Sequence, residues 1–324
     1  MNELIKISDN VYIVNVNVLG LSEWLATHVI IGSNGLLVID PGPNLCVDSL
    51  VNTLIKYFNV EDIKGIALTH IHLDHGGGTG LLIKKLGSVN VYVHPRGVRH
   101  LSNPERLWEA SKEVLGDLAL TLGRPEPVDQ GIIIGLDDGS VVDLGGTVIK
   151  AIHTPGHAPH HIAYLVEPDN VLIAGDALGN MFNRRIYPVT VPPFNLVDYL
   201  RSLNRLSRGS YRYVSVAHFG YVENDCDIFI QRFKDKIISW SIAIASFIKE
   251  GIKDPRDIYD ELLQSDQELS YMFKFREVHK LVKGASYRAV LGVYQYIDRL
   301  LNVEGASIDD LLKMMFSIGN APTK

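Results

Sequence analysis

From Val11 to about His218, short β-branched and apolar runs alternate with turn residues. Ser33-Asn34-Gly35 precedes Leu36-Leu37-Val38-Ile39, and Glu167-Pro168-Asp169-Asn170 precedes Val171-Leu172-Ile173-Ala174. Runs of this length between turn signals predict strands. Helical spacing interrupts them: apolar residues three to four apart occur at Leu50, Leu54, Ile55 and Phe58, and again at Leu200, Leu203 and Leu206. The alternation predicts mixed α/β layering. After about Asn224 the strand pattern stops, and Phe233, Ile237, Trp240, Ile244 and Phe247 mark one face of a long helix. Asp254-Pro255 supplies a cap and first-turn proline for a helix running to about Gln264, and Val290, Tyr294, Ile297 and Leu301 mark another before Gly305. Two domains are expected, at 1–224 and, mostly helical, at 225–324.

Composition supports a folded protein: the 324 residues are 46% hydrophobic and 21% charged. A formal net charge of −6 argues against a chain whose main task is to coat nucleic acid. Two cysteines, Cys46 and Cys226, cannot build a disulfide framework, which fits a reducing cytoplasm. The start, Met1-Asn2-Glu3-Leu4-Ile5-Lys6, lacks the basic and apolar regions of a secretory signal. Ile237 to Ile248 covers 12 residues and includes three serines. It falls short of the ~20 residues of a membrane span and reads as a buried helix.

The chemistry concentrates at Thr69-His70-Ile71-His72-Leu73-Asp74-His75-Gly76-Gly77-Gly78, directly after the apolar run Gly65 to Leu68. Imidazole and carboxylate suit Zn²⁺, Fe or Mn²⁺, and four donors on so short a segment can serve two adjacent ions. His70 and His72, two apart on extended backbone, point to the same side. The triple glycine lets the backbone turn sharply before a helix over Thr79 to Leu86. Three other apolar strands end in further candidates: Thr147–Ile152 leads to Thr154-Pro155-Gly156-His157, Val171–Gly175 to Asp176, and Tyr213–Ala217 to His218. If these strands lie in one pair of packed sheets, their ends converge on one edge.

The series His-x-His-x-Asp-His, Thr-Pro-Gly-His, Gly-Asp, Ala-His resembles the metallo-β-lactamase superfamily from about Val11 to Gly220. The resemblance implies a four-layer αββα sandwich with its metal site along one edge, followed here by the small helical domain. It also implies that His70, His72 and His157 hold one divalent ion, that Asp74, His75 and His218 hold a second, and that Asp176 bridges them. Asp40, in Val38-Ile39-Asp40-Pro41-Gly42, matches a further position that supports the ligands. The stretch His94–Ser111, the segment Tyr187–Phe194 and the C-terminal helices are similar to the glyoxalase II-like and endoribonuclease-like branches.

Other polar residues have plainer readings. His160 and His161 fall outside the motif and are expected as neighbours or core residues. His94, Arg96 and His100 read first as surface or packing groups, and otherwise as lining of the substrate cleft. His28 and His279 carry no functional expectation. Tyr187, eleven residues after Asp176, is either a hydrogen-bond donor to a substrate oxyanion or a satisfied buried tyrosine. Arg201, Arg205, Arg208 and Arg212, like Arg276, Lys280 and Lys283, read as solvated faces, and otherwise as a surface for nucleic acid or an anionic substrate.

Two ions ~3.5–4 Å apart, zinc first and iron or manganese as alternatives, would lower the pKa of a shared water to ~7 and so supply hydroxide. Asp74, facing that water, would orient it and carry a proton to the leaving group. The expected activity is hydrolysis of a small-molecule thioester or ester, as the glyoxalase II-like resemblance implies. The alternatives are an RNA phosphodiesterase or endoribonuclease, a mononuclear iron persulfide dioxygenase, and a metal-stabilised binding protein without turnover. No membrane partner is expected, and the sequence leaves the oligomeric state and the role of the C-terminal helices open.

Overall fold

Strand runs and turn residues assemble as two sheets in a computed structural model that describes residues 3–275 and 280–320; Arg276 and His279 lie outside the described residues. The first sheet has seven strands in sequence order: β1 (Leu4–Lys6), β2 (Val11–Val18), β3 (Leu21–Gly32), β4 (Gly35–Ile39), β5 (Ile63–Ala67), β6 (Asn90–Val93) and β7 (Ile133–Gly135). Its first four strands pair antiparallel and β4 to β7 pair parallel. Parallel pairing needs crossovers, and these hold α1 (Val47–Tyr57), α2 (Leu73–Gly76), α3 (Thr79–Leu86), α4 (Val98–Ser102), α5 (Glu105–Leu115) and α6 (Asp117–Leu122). In α1 the expected Leu50 and Leu54 are buried, but Ile55 is 59% exposed. Five residues from Leu50 carries it well off the inward stripe.

The second sheet contains β8 (Val141–Asp143), β9 (Val148–His153), β10 (Ile162–Glu167), β11 (Val171–Ile173), β14 (Tyr213–Val216) and β15 (Gly220–Glu223), in the order β15-β14-β11-β10-β9-β8. The remaining strands, β12 (Asn180–Phe182) and β13 (Arg185–Tyr187), form a separate hairpin. Alternating apolar residues of both large sheets, among them Ile13, Ile30, Leu37, Ile39, Ile149, Ile162, Tyr164 and Ile173, share one buried core. Hydrogen bonds join the sheets at the end of β5: Thr69 O accepts from Ile162 N at 2.7 Å, and Leu68 O from the Tyr164 hydroxyl at 2.8 Å. At the end of β14, Ala217 O accepts from Ala26 N of β3 at 2.8 Å.

The helices after Glu223 are α8 (Cys226–Lys249), α9 (Pro255–Ser265), α10 (Gln267–Phe275), α11 (Lys280–Asp298) and α12 (Ile308–Asn320), while α7 (Leu196–Leu206) precedes β14. The apolar stripe of α8 is buried at Phe233, Ile237, Trp240 and Ile244, and Asp254 caps α9 through Arg256 N at 2.8 Å. Asp266 ties three helices together. It accepts from Trp240 Nε1 at 2.7 Å and Lys236 Nζ at 2.8 Å, and from the backbone N–H of Glu268 and Leu269 at 3.0 Å. Among the described residues no helix is long and apolar enough to cross a membrane.

By its contacts the chain divides into two compact units. One holds Met1–His153, His160–Gly175 and Tyr211–Asn224, and so both large sheets; the other holds Thr154–Pro159, Asp176–Ser210 and Asp225–Lys324. An α/β sandwich with a C-terminal helical region is thus the fold.

Within the first unit His28 is a fully buried histidine. Ser215 Oγ donates to Gly220 O at 3.1 Å, so it accepts from His28 Nε2–H at 2.7 Å. Burial pushes the His28 pKa down from 6.5 to about 4, and the charge of Asp40 opposes that shift. The unfolded chain therefore takes up a proton between these values that the folded chain refuses. Stability should fall as pH drops through that window, by about 2–3 kcal/mol near pH 4.5. Urea unfolding of wild type and His28→Gln at pH 7 and 4.5 checks this: the variant should lose less by that amount, and equal losses would contradict it.

Candidate metal centre

β5 ends at Ala67, and Leu68 still donates to Tyr92 O beside it at 2.9 Å. The chain then stays extended through His72 (φ −58°, ψ 154°) and makes the single turn α2, whose His75 and Gly76 N–H groups donate to His72 O at 3.0 and 2.8 Å. His70 and His72 consequently lie side by side, Nε2 of the first 3.0 Å from Nδ1 of the second. The loop after β4 is stitched to this turn: Gly42 N donates to His75 O at 2.9 Å and Gly78 N to Gly42 O at 2.7 Å.

A second group forms around α2. Asp74, His75 and His218 each offer one donor atom, all within 4.8 Å of one another. His218 follows β14, packs edge-on against Trp24 with centroids 5.8 Å apart, and donates Nδ1–H to Trp24 O at 3.2 Å. His75 donates Nδ1–H to Asp40 Oδ2 at 3.1 Å. Both rings thereby present Nε2 inward, 3.7 Å (His218) and 3.8 Å (His75) from Asp74 Oδ2. An imidazole whose other nitrogen is held by a carboxylate or carbonyl is the usual arrangement of a metal-binding histidine. Asp74 differs in being 36% exposed at its side chain, whereas His75 is sealed.

Asp40 sits behind both groups, 1% exposed, at the end of β4. Its Oδ1 accepts from Thr69 N at 2.7 Å and its Oδ2 from Thr69 Oγ1 at 2.6 Å, in addition to His75. Its backbone takes the left-handed φ of +53°, and Thr27 Oγ1 bonds its carbonyl at 2.7 Å. Asp accepts this conformation at modest cost. Gly175 (φ +54°) presses on the same place: a Cβ there would lie 2.6 Å from His161 Nε2 and 2.9 Å from Thr69 Cβ.

In the second unit His157 and Asp176 meet, with Nε2 3.4 Å from Oδ2, both buried. His157 Nδ1–H donates to Val189 O at 2.7 Å, so this ring too presents Nε2. Helix α7 holds the Thr154–His157 turn. Asn195 N donates to Gly156 O at 3.0 Å and Ser202 Oγ to Pro155 O at 2.6 Å. Gly156 (φ +135°) has no room for a Cβ, which would lie 2.3 Å from the Tyr199 backbone. Burial, reinforced by the Asp176 carboxylate, pushes the Tyr199 hydroxyl up so that it keeps its proton. Tyr187 is 2% exposed and pairs with Asn180 in the β12–β13 hairpin.

His161 is buried and tilted against His70 (centroids 5.1 Å), and His160 lies edge-on to His72 at 5.8 Å, both as neighbours of the His70–His72 pair. His94 lies tilted against His153, ring centroids 4.3 Å apart, and accepts from Arg96 N at 3.0 Å. Burial, then the charges of His153 and Arg96, push its pKa down to about 4, in keeping with a packing role. Sequence reasoning did not single out Thr69, Trp24 or Tyr199. Thr69 alone had a signal, standing directly before the first histidine.

These imidazole and carboxylate groups suit a borderline-hard divalent cation, and neither cysteine belongs to them. Comparison with known proteins agrees. Residues 26–218 match the metallo-beta-lactamase superfamily. The chain is 31% identical over 204 residues to a metallo-beta-lactamase fold-containing protein, ST1585, of Sulfurisphaera tokodaii, covering 62% of this chain and 74% of that one. It is 30% identical over 156 residues to a hydroxyacylglutathione hydrolase of Shewanella pealeana, covering 48% and 46%. The crystal structure of TTHA1429, a metallo-beta-lactamase family protein from Thermus thermophilus, shares the fold with a TM-score of 0.68 at 24% identity, over 93% of this chain and 96% of that one. The chain belongs to the metallo-beta-lactamase superfamily. It is a hydrolase of that superfamily, with His/Asp clusters suited to divalent metal.

Replacing Asp40 with Asn puts an N–H₂ against one of three N–H or O–H donors. Asp40→Asn is expected to bind zinc about 10–100-fold more weakly with an unchanged far-UV spectrum, measured by competition with a chromophoric chelator. Unaltered affinity would remove Asp40 from its supporting role.

Proposed function

We propose that this protein hydrolyses a small thioester or ester with two divalent ions, zinc foremost. In this reading His70, His72 and His157 hold one ion, Asp74, His75 and His218 hold the other, and Asp176 bridges them. The observation that carries it is the Asp74, His75 and His218 group, with both imidazoles oriented through Nδ1. The likeness to a hydroxyacylglutathione hydrolase over about half of each chain supports the thioester class.

Divalent ions, when bound, would supply Lewis acidity and an activated water at neutral pH. The chain's residues do the rest. Asp74 combines contact with two imidazoles and partial exposure, so its carboxylate takes up the proton released as water adds to the acyl carbon and returns it to the departing thiolate as the C–S bond breaks. His75 and His218, fixed from behind, keep Asp74 in register during that transfer.

RNA cleavage has less support. Arg201 and Arg212 are exposed and pair with Asp198 at 3.5 Å and Glu223 at 3.9 Å, which fits a solvated face.

Purified protein tested with acyl-thioesters, single-stranded RNA, a β-lactam and a persulfide, with and without chelator, separates the classes. Thioester turnover that chelator abolishes and zinc restores is expected. RNA turnover alone, or oxygen consumption with a single iron, would overturn the reading. Asp74→Asn should lose at least about 100-fold in kcat, and full turnover with both metals retained would remove Asp74 from proton transfer.

A further inference from the structure

One oxygen of Asp40 serves both groups of donors in the first unit. Oδ2 receives His75 Nδ1–H directly at 3.1 Å and the Thr69 hydroxyl at 2.6 Å. Thr69 Oγ1 in turn lies 3.1 Å from His70 Nδ1, and Thr69, His70 and His75 are fully buried.

For a neutral His70 the donor pattern around Thr69 points to one tautomer. An ionised carboxylate only accepts, so the single hydroxyl hydrogen of Thr69 points to Asp40. The threonine oxygen then has only lone pairs to offer His70, and His70 Nδ1 must carry the hydrogen. The lone pair of His70 therefore sits on Nε2, the atom facing His72 Nδ1 at 3.0 Å. The Thr69 hydroxyl cannot rotate to another partner without abandoning Asp40, because its own N–H is clamped to Oδ1 at 2.7 Å and Gly175 crowds its Cβ.

We propose that Thr69 is a positioning residue that locks His70 in the Nδ1–H tautomer, and that Asp40 through Thr69 and His75 orients one ligand in each group from a single carboxylate oxygen. The proposal deepens the two-ion reading and rests on it only for the consequence in metal binding. The lock itself exists without metal. In free histidine the hydrogen favours Nε2, the tautomer with its lone pair on the wrong side, so a ligand already locked binds without a tautomer change. Asp40 and Thr69 should then differ in reach: loss of Asp40 disturbs both groups, loss of Thr69 only the one containing His70.

Long-range ¹H–¹⁵N correlation spectra of metal-free wild-type protein test the lock directly. His70 and His75 should both show Nδ1 protonated and Nε2 bare, and a His70 ring protonated at Nε2 overturns the proposal. Thr69→Val should shift His70 toward the Nε2–H form, leave His75 unchanged, and weaken one of two zinc-binding steps about 10–100-fold, with Thr69→Ser restoring both tautomer and affinity. A Thr69→Val protein that keeps the wild-type tautomer, or a Thr69→Ser protein that folds without restoring it, also overturns the proposal. If the wild-type tautomers are as expected but zinc does not bind, the lock stands and the two-ion reading fails.

Discussion

A carboxylate with almost no exposure has to be surrounded by donors, because an unpaired buried charge costs several kcal/mol. Asp40 meets that demand with Thr69 N–H, Thr69 O–H and His75 Nδ1–H. The need to satisfy Asp40 and the need to orient metal ligands are therefore one constraint. Strand β4 delivers the carboxylate, its left-handed φ aims it across the end of β5, and the parallel pairing of these strands, Ile39 beside Ala67, brings Thr69 within hydrogen-bond reach.

The surrounding framework keeps that register. Hydrogen bonds from Ile162 N and the Tyr164 hydroxyl fasten the carbonyls of Thr69 and Leu68, and Ala26 N fastens Ala217 one residue before His218. Ligands are thus anchored through the backbone of strands whose apolar faces already form the core. In the second unit the same logic uses a helix: α7 grips the Thr154–His157 turn through Asn195, Tyr199 and Ser202, and Val189 O orients the ring of His157. Each unit thus holds imidazoles oriented through their Nδ1 nitrogens.

The cluster at His70–His75 was legible because its donors are contiguous and follow an apolar strand. The helices over Thr79–Leu86 and from Pro255 were legible from periodicity and caps. What orients the histidines was not. Trp24 and Val189 act through carbonyl oxygens, which every residue type possesses, so no side-chain pattern marks them. Asp40 and Thr69 are 29 positions apart, and their pairing depends on strand register. The grouping of Thr154–Pro159 and Asp176–Ser210 with the C-terminal helices was equally hidden, since it arises from contacts between distant stretches of chain. Ile55 shows the limit of periodicity itself: an apolar residue at nearly the right spacing still faces water.

The central claim is that preset imidazoles and carboxylates on these strand ends make a two-ion centre. Elemental analysis of protein purified without chelator or added metal addresses it most directly, supported by back-titration of the stripped protein. Two equivalents of divalent metal per chain are expected, falling to one in a His75→Ala, His218→Ala double variant. A single equivalent in the wild type, or none after titration, would contradict the claim.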